Sequence, residues 1–325
     1  MQINFKSGWP VYLLLLFVLI FIFIRLSTKP HRQILQTPIH KNWLAPSLYL
    51  DPIKNKTERE LVWYGKELIA NTAAYLGPEG SVMQISNGMN CQNCHLDAGT
   101  RPNGNNFSAV YANYPVFRNR SGRVETIYKR VSDCFERSLN GRAPDSNSRE
   151  YRAIYAYIKW LGKSVKKATY PPGSGITKPG YLPRAADPLK GKKLYSIHCE
   201  KCHGTNGEGQ VNSENKGYRY PPLWGKNSYN TGAGLYRLGN FAGFIQSNMP
   251  FNEVTDNNKL SNEAVWDIAA YVNSKPRPIM KNNTDWPDLS KKPVDHPFGP
   301  YTDGFSEQQH KFGPFVPIIN KRYKN

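Results

Sequence analysis

The feature that most constrains the fold of this 325-residue chain is a short cysteine motif that occurs twice. The two copies are CQNCH, at Cys91–His95, and CEKCH, at Cys199–His203. In each half of the chain a helical pattern precedes the motif, a loop follows it, and further helical patterns close the half. The same order of elements around two equivalent motifs predicts a duplicated, all-helical module.

The CxxCH spacing is typical of covalent haem attachment. Two cysteines separated by two residues can add to the vinyl groups of one haem, and the adjacent histidine then binds its iron. A zinc ribbon would bring both cysteine pairs to one metal, but these pairs lie about a hundred residues apart in separate units. A thioredoxin-like CxxC requires a sheet context that is missing from the pattern. The sequence therefore predicts two covalently bound haem c groups, attached through Cys91, Cys94, Cys199 and Cys202, with His95 and His203 as iron ligands.

The predicted fold class is all-α: two cytochrome c class I-like domains in tandem, an N-terminal membrane anchor helix and an irregular C-terminal tail. The second half resembles an ordinary class I cytochrome c in GKKLYSIHCEKCHGTNGEG, NMPF and EAVWDIAAYV. A stretch dense in Pro and Gly between the halves indicates a linker. The predicted divisions are residues 1–28 (anchor), 29–55 (tether), 56–166 (domain 1), 167–184 (linker), 185–276 (domain 2) and 277–325 (a tail that wraps over the domains).

Helix boundaries in the first half are predicted from capping residues and apolar spacing. Thr57 followed by Glu60 forms a capping-box pattern at the start of a first helix. A second helix is predicted near Gly122 to Asn140, and a third near Ser148 to Ser164.

The N-terminus contains an uncharged apolar stretch, WPVYLLLLFVLIFIFI, from Trp9 to Ile24. It is short of the ~20 residues that span a bilayer comfortably, and no small-residue cleavage site follows it. We therefore favour an uncleaved anchor over a removed signal peptide, although Arg25 and Lys29 oppose the positive-inside tendency. Because haem c is attached outside the cytoplasm, the expected location is the periplasmic side of the bacterial inner membrane, or the soluble periplasm if the segment is cleaved.

The chain is strongly basic, with 43 Lys+Arg against 24 Asp+Glu and a formal net charge of +19. Such a surface attracts anions, which include nucleic acid, acidic lipids, acidic proteins and small anionic substrates. No zinc finger, RNA-binding signature or basic helical array is visible, so no nucleic-acid partner is predicted. A solvated basic surface without a specific role is the alternative.

The second iron needs a sixth ligand, and a methionine on a loop is expected there. Downstream of the second motif only Met249 and Met280 are available. Met249 precedes the last helix of the domain at the usual distance, whereas Met280 lies beyond that helix. Met249 is therefore the predicted ligand, and His/Met ligation raises the reduction potential and suits electron transfer.

The first iron has no such choice, because neither histidine nor methionine occurs between His95 and His198. Its sixth site is left to Cys134, a lysine, water or nothing. Cys134 has no partner cysteine, and a free thiol is exposed to oxidation in an exported protein. A thiolate from Cys134 is the favoured ligand, and it would lower the potential of this haem.

Arginines and a serine surround Cys134 in the sequence. Ser138 lies one turn further along the same helical face, and Arg130 and Arg137 lie one turn to either side. The upstream segment YPVFRNRSGR adds Arg118, Arg120 and Arg123. Guanidinium groups match sulfonate oxygens, so this composition favours a small sulfur oxyanion, although most of these arginines could equally be solvated.

From about Thr57 to Phe315, the sequence resembles the dihaem thiosulfate dehydrogenases. The resemblance implies a catalytic first haem with His/Cys ligation, Arg120 and Ser138 among the substrate-site residues, and a second haem through which electrons leave. It is carried by NGMNCQNCHLDAG, YPVFRNRSGR, RVSDCFERSLNG, YAYIKWL, PPLWG, FIQSNMP, WDIAAYV, GPYTDGF and HKFGPF.

The reaction that this resemblance implies is the oxidation of two thiosulfates to tetrathionate. We expect Cys134 to leave the iron and form a sulfur–sulfur bond with one thiosulfate, which a second thiosulfate then attacks. The expected partners are thiosulfate or tetrathionate, the membrane, and a redox partner that is a small cytochrome c, a membrane oxidase or a quinone-linked acceptor. The alternatives are a tetrathionate reductase, a membrane-tethered dihaem electron-transfer cytochrome, and an enzyme that loads a sulfur carrier protein.

Overall fold

Helices form most of the regular structure in the computed structural model, which describes residues 42–212, 216–280 and 284–323. The helices of the first half include α1 (Lys56–Ala70), α2 (Thr72–Leu76), α3 (Val110–Asn113), α4 (Ile127–Asp133) and α5 (Arg149–Gly162). Those of the second half and the tail are α6 (Pro188–His198), α7 (Glu200–His203), α8 (Leu238–Asn248), α9 (Asn262–Asn273), α10 (Glu307–Phe312) and α11 (Val316–Tyr323).

Two short antiparallel hairpins accompany the helices. Strand β1 (Val116–Arg118) pairs with β2 (Arg123–Glu125), and β3 (Gln210–Asn212) pairs with β4 (Gly217–Tyr220). The first hairpin occupies the beginning of the segment for which one continuous helix, near Gly122 to Asn140, is predicted, so that prediction is wrong there. The chain turns at Gly122, whose φ of 66° lies in the left-handed region that glycine tolerates.

Each half has its own buried core, and both belong to one compact unit that begins at Lys41. Helix α1 packs against α5 in the first half, and α6 packs against α9 in the second. The second half also contributes to the first core, because Tyr229, Ala233 and Tyr236 are buried within it. The loop that carries these residues therefore joins the two halves.

A glycine at the helix crossing repeats in both halves. A Cβ added at Gly65 of α1 would lie 2.0 Å from the carbonyl oxygen of Ala153 in α5. The same atom at Gly191 of α6 would lie 1.9 Å from the carbonyl oxygen of Asp267 in α9. Only glycine permits this approach of two helix backbones, so the pair supports the predicted duplication.

We expect Gly65→Ala to destabilise the protein, because the new methyl group meets a backbone carbonyl that cannot rotate away. Overpacking of this kind costs about 1–3 kcal/mol of unfolding free energy. Urea unfolding of the holoprotein, followed by circular dichroism, measures the change. Gly234→Ala is the control, since a Cβ there has nothing within 4 Å. Equal midpoints for the two variants would contradict the close-packing argument.

The helices begin at residues whose side chains cap them, but one predicted cap is wrong. Helix α1 is capped by Asn55, whose side-chain oxygen accepts from the Glu58 backbone N–H at 2.9 Å, so the predicted cap at Thr57 is wrong. Asparagine and threonine both cap well, and the sequence alone does not choose between them. Ser148 caps α5 and accepts from the Tyr151 N–H at 3.1 Å, as its predicted position requires.

Helix α4 does not continue as an α-helix through Cys134. The five residues Cys134–Ser138 form a π-helical turn, in which the Leu139 N–H donates to the Cys134 carbonyl at 3.0 Å. Such turns are rare, and they occur often at functional sites.

The C-terminal tail is more ordered than predicted. It contains the helices α10 and α11, and Phe315 and Ile318 are buried in the second core. The prediction of a tail without helical structure is therefore wrong. Within the described ranges no helix is long and apolar enough to cross a membrane. The predicted anchor, residues 1–28, lies outside the described residues.

Candidate active site

Both motif histidines have one ring nitrogen fixed by a backbone carbonyl. His95 Nδ1 lies 2.6 Å from the Asn105 carbonyl oxygen, and His203 Nδ1 lies 2.9 Å from that of Pro221. Burial lowers the pKa of His95 to about 4 and lowers the pKa of His203 as well, so both rings are neutral at neutral pH. A ring that donates through Nδ1 carries its lone pair on Nε2, which suits an iron ligand.

The second motif and the predicted methionine line one cavity. Cys199, Cys202, His203 and Met249 all border a cavity of about 400 Å³. Much of its wall is apolar, formed by Leu223, Leu235, Phe241, Phe244, Ile245, Ile268 and Val272, and polar residues such as Asn93, Arg219 and Glu253 line the rest. A largely apolar cavity with two thiols, a histidine and a thioether fits a covalently attached haem.

Met280, the alternative methionine, lies elsewhere. Its backbone N–H donates to the Thr231 hydroxyl at 2.9 Å, and its sulfur lies 3.7 Å from the Asn230 amide nitrogen. It is not among the residues that border the cavity of His203. The position of Met280 therefore leaves Met249 as the methionine beside the second motif.

The first domain holds the loop that carries Met249. Arg101, which follows the first motif, stacks on the ring of Phe251 at 4.4 Å and donates to the Asn252 side chain at 2.5 Å. Its Nε also pairs with Asp97 at 2.7 Å. Cys94 of the first motif also borders the cavity of the second, so the two motifs share one cavity.

Cys134 lies beside the first motif. In the chain without haem, burial, and then the charge of Cys134, raise the pKa of the free thiols of Cys91 and Cys94 to about 12. The same charge is the main reason why the pKa of Arg130 is raised. The structure thus brings Cys134 together with Cys91, Cys94 and Arg130, and it places Ser138 half-buried at the end of the same π-helical turn.

Buried donors without protein partners provide a further test of whether haem fits. The Trp160 Nε1 and the Nε and Nη1 atoms of Arg277 are buried and make no hydrogen bond to the described residues. Arg277 is sandwiched between the rings of Tyr229 and Tyr236, at 4.4 and 4.8 Å. Haem c brings two carboxylates, for which such donors are suited, and Arg277 stacks on Tyr229, which borders the cavity of the second motif. The residues present therefore fit the group.

Arg120 occupies a second, polar cavity of about 160 Å³. Its Nε lies 3.0 Å from Asp285, which also pairs with Arg137 at 2.8 Å. Burial lowers the pKa of Arg120 to about 10, which still leaves it charged at neutral pH. Cys134 and Ser138 are not among the residues that line this cavity, which are Arg120, Ser121, Arg123, Glu125, Lys129, Asp133, Arg137, Thr284 and Asp285.

Two residues near the site were missed by sequence reasoning. The Tyr114 hydroxyl is buried and finds no hydrogen-bond partner in the described ranges. Burial raises its pKa, and the charges of Arg130 and Cys134 also act on it. In the sequence, its position at the start of the arginine-rich segment YPVFRNRSGR was the feature that could have made it a candidate. Nothing in the sequence indicated Asp285, because it lies in the tail, 148 positions from its partner Arg137.

Comparisons with known proteins agree with this arrangement. Residues 81–166 match the family described as "SoxA/TsdA, cytochrome c domain", and residues 189–276 match "Cytochrome c". A thiosulfate dehydrogenase of Stutzerimonas stutzeri is 36% identical over 67% of this chain and 68% of its own length. That of Allochromatium vinosum is 36% identical over 69% of this chain and 81% of its own length. The chain belongs to the thiosulfate dehydrogenase family.

A solved structure supports the same fold. Thiosulfate dehydrogenase (TsdBA) from Marichromatium purpuratum, in its "as isolated" form, superposes with a TM-score of 0.65 at 32% identity. The match covers 71% of this chain and 49% of that one, so this chain spans about half the length of the solved relative. Two tandem cytochrome c domains, each with its CxxCH motif, carry two covalently bound haem c groups.

Proposed function

We propose that this protein oxidises two thiosulfates to tetrathionate, with Cys134 as the reacting sulfur. In this proposal His95 and Cys134 hold the iron of the first haem, and His203 and Met249 hold that of the second. The observation that carries it is the position of Cys134 on a π-helical turn within electrostatic range of Cys91, Cys94 and Arg130. The names of the relatives support the same substrate.

The charges near Cys134 suit two dianionic substrates. Thiosulfates repel one another, and a fixed guanidinium group lowers this repulsion and concentrates the anions. Arg130 is the arginine whose pKa is raised mainly by the charge of Cys134. The buried Tyr114 hydroxyl is a donor still in need of an acceptor. Ser138, from the same turn, and Arg120 complete the proposed set; Arg120 lines a separate cavity and shares its charge with Asp285.

The proposed chemistry takes place on sulfur. The Cys134 thiolate bonds to the outer sulfur of one thiosulfate, and two electrons leave. A second thiosulfate then attacks that outer sulfur, the bond to Cys134 breaks, and tetrathionate departs with the thiolate restored. Two haem c groups, held at the two CxxCH motifs, would supply the capacity for these two electrons. Arg130 opposes the charge that builds up as the second anion approaches.

The direction toward tetrathionate and the exit through the second domain are part of the proposal. A high-potential His/Met site favours removal of electrons from the first domain. The acceptor proposed is a small cytochrome c or a membrane-bound oxidase or quinone-linked acceptor, at the periplasmic side of the inner membrane. The uncharged stretch Trp9–Ile24 supports attachment to that membrane.

The experiment that tests the proposed function is anaerobic mixing of purified holoprotein with thiosulfate. The visible spectra of the haems and the amount of tetrathionate are followed together. Haem reduction with formation of tetrathionate supports the proposal. If neither thiosulfate reduces the haems nor tetrathionate oxidises them, the protein is an electron carrier instead.

A further inference from the structure

The π-helical turn at Cys134 leaves backbone carbonyls without their helical partners. In an α-helix the Arg137 carbonyl would accept from the Gly141 N–H, four residues on. Here the Gly141 N–H donates instead to the Phe135 carbonyl at 2.9 Å. Asn140 adopts a left-handed φ of 42°, which ends the helix. The carbonyls near the end of this turn therefore need donors from outside it.

Asn230, from the second half of the chain, supplies these donors. Its side-chain amide donates to the Glu136 carbonyl at 2.8 Å and to the Asn140 side chain at 3.0 Å. Its backbone N–H donates to the Arg137 carbonyl at 3.0 Å. Asn230 is only 2% exposed, so water does not replace these bonds easily.

The loop around Asn230 is itself held in place. The Asn230 side-chain oxygen accepts from the Gly232 N–H at 2.9 Å, and the Gly232 carbonyl accepts from Arg120 Nη2 at 2.9 Å. Tyr229 and Ala233, on either side, are buried in the first core. The amide is thus fixed in one orientation, aimed at the turn.

We propose that Asn230 is a positioning residue by which the electron-exit domain holds the π-helical turn that presents Cys134. Without its amide the turn can return to α-helical bonding, which moves Cys134 relative to Ser138 and the first motif. The hold on the turn follows from the hydrogen bonds alone. Its consequence for the first haem rests on the proposed ligation by Cys134.

The test compares Asn230→Ala with Asn87→Ala in the full holoprotein. Asn87 is a matched control, because its side-chain amide donates to the carbonyls of Asn227 and Ser228 in the same loop. Its backbone N–H, which alanine keeps, donates to the Leu139 carbonyl at 3.0 Å. We expect hydrogen–deuterium exchange in residues 134–141 to accelerate on the order of tenfold in Asn230→Ala and to stay unchanged in Asn87→Ala. Equal exchange in wild type and Asn230→Ala, or equal acceleration in both variants, overturns the proposal.

A second readout follows the first haem. Electron paramagnetic resonance of the oxidised protein should show a mixture of ligation states in Asn230→Ala and one state in Asn87→Ala. The turnover number with thiosulfate should fall by up to about 10²-fold, as for a small displacement of a reacting group. If wild-type protein shows no thiosulfate activity, the proposed function fails while the exchange result still decides the role of Asn230.

A further variant covers the case in which Asn230→Ala does not fold. Asn230→Asp keeps the shape of the side chain and replaces the amide donor by a carboxylate, which only accepts hydrogen bonds and carries a negative charge. It should give the same acceleration of exchange in residues 134–141. Wild-type exchange in Asn230→Asp would overturn the proposal, since the donor would then be dispensable.

Discussion

Cys134→Ser is expected to keep both haem groups and to lose thiosulfate-dependent haem reduction by at least about 10³-fold. The attachment cysteines and both motif histidines are untouched by this change. A serine hydroxyl, however, cannot form the sulfur–sulfur bond on which the proposed reaction depends. The rate of haem reduction after mixing with thiosulfate measures the loss, and the haem content of the purified variant measures retention.

Cys134→Met separates the two roles of this residue. Methionine offers a sulfur to the iron but no thiolate for the substrate, so activity should be lost as in the serine variant. Removal of the thiolate should also raise the potential of the first haem. Full activity in either variant would contradict the role of Cys134 as the reacting sulfur.

Met249→Leu is expected to change the second haem and leave the first one intact. Loss of the thioether should lower the potential of the second haem by on the order of 100 mV, within the ~0.8 V range over which axial ligands act. Electrons would then be held in the first domain, and steady-state turnover should fall. Redox titration of the two haems, together with turnover measured with a small acceptor, tests both effects.

Met280→Leu is the matched control for this prediction. It removes a methionine from the same half of the chain, but Met280 contacts Thr231 and Asn230 and does not border the cavity of His203. Its second-haem potential should equal that of wild type. A lowered potential in Met280→Leu, with none in Met249→Leu, would show that the ligand had been assigned to the wrong methionine.

The haem chemistry was largely predictable because it depends on short, local motifs. Cys91, Cys94 and His95 lie within five positions, and their spacing is dictated by the haem itself. The sequence also limited the methionine to two candidates, of which Met249 borders the cavity of His203. The repeated helix crossing at Gly65 and Gly191 follows from the same duplication.

The surroundings of Cys134 were not predictable in the same way. The apolar spacing from Ile127 to Leu139 indicates a helix, but it does not distinguish an α-helix from one that widens at Cys134. That difference depends on Asn230, almost a hundred positions away, whose amide reaches the turn only in the folded chain. The local pattern of apolar residues does not indicate a hydrogen-bond donor from a distant segment.

The arginines show the same limit. Sequence proximity made Arg120 and Arg137 candidates for binding the substrate, yet the structure pairs both with Asp285 of the tail. Arg130, one turn before Cys134, is the arginine most closely linked to the reacting sulfur. Ion pairs between distant segments decide which cations remain available, and these pairs are formed only by the tertiary fold.

The most direct test of the central claim is the stoichiometry of one turnover without an acceptor. Oxidised holoprotein is mixed anaerobically with excess thiosulfate, the haems are followed by their visible spectra, and the products are separated by ion chromatography. We predict reduction of both haems and about one tetrathionate per protein molecule, because two haems take up two electrons. Haems that stay oxidised, or that are reduced without formation of tetrathionate, would contradict it.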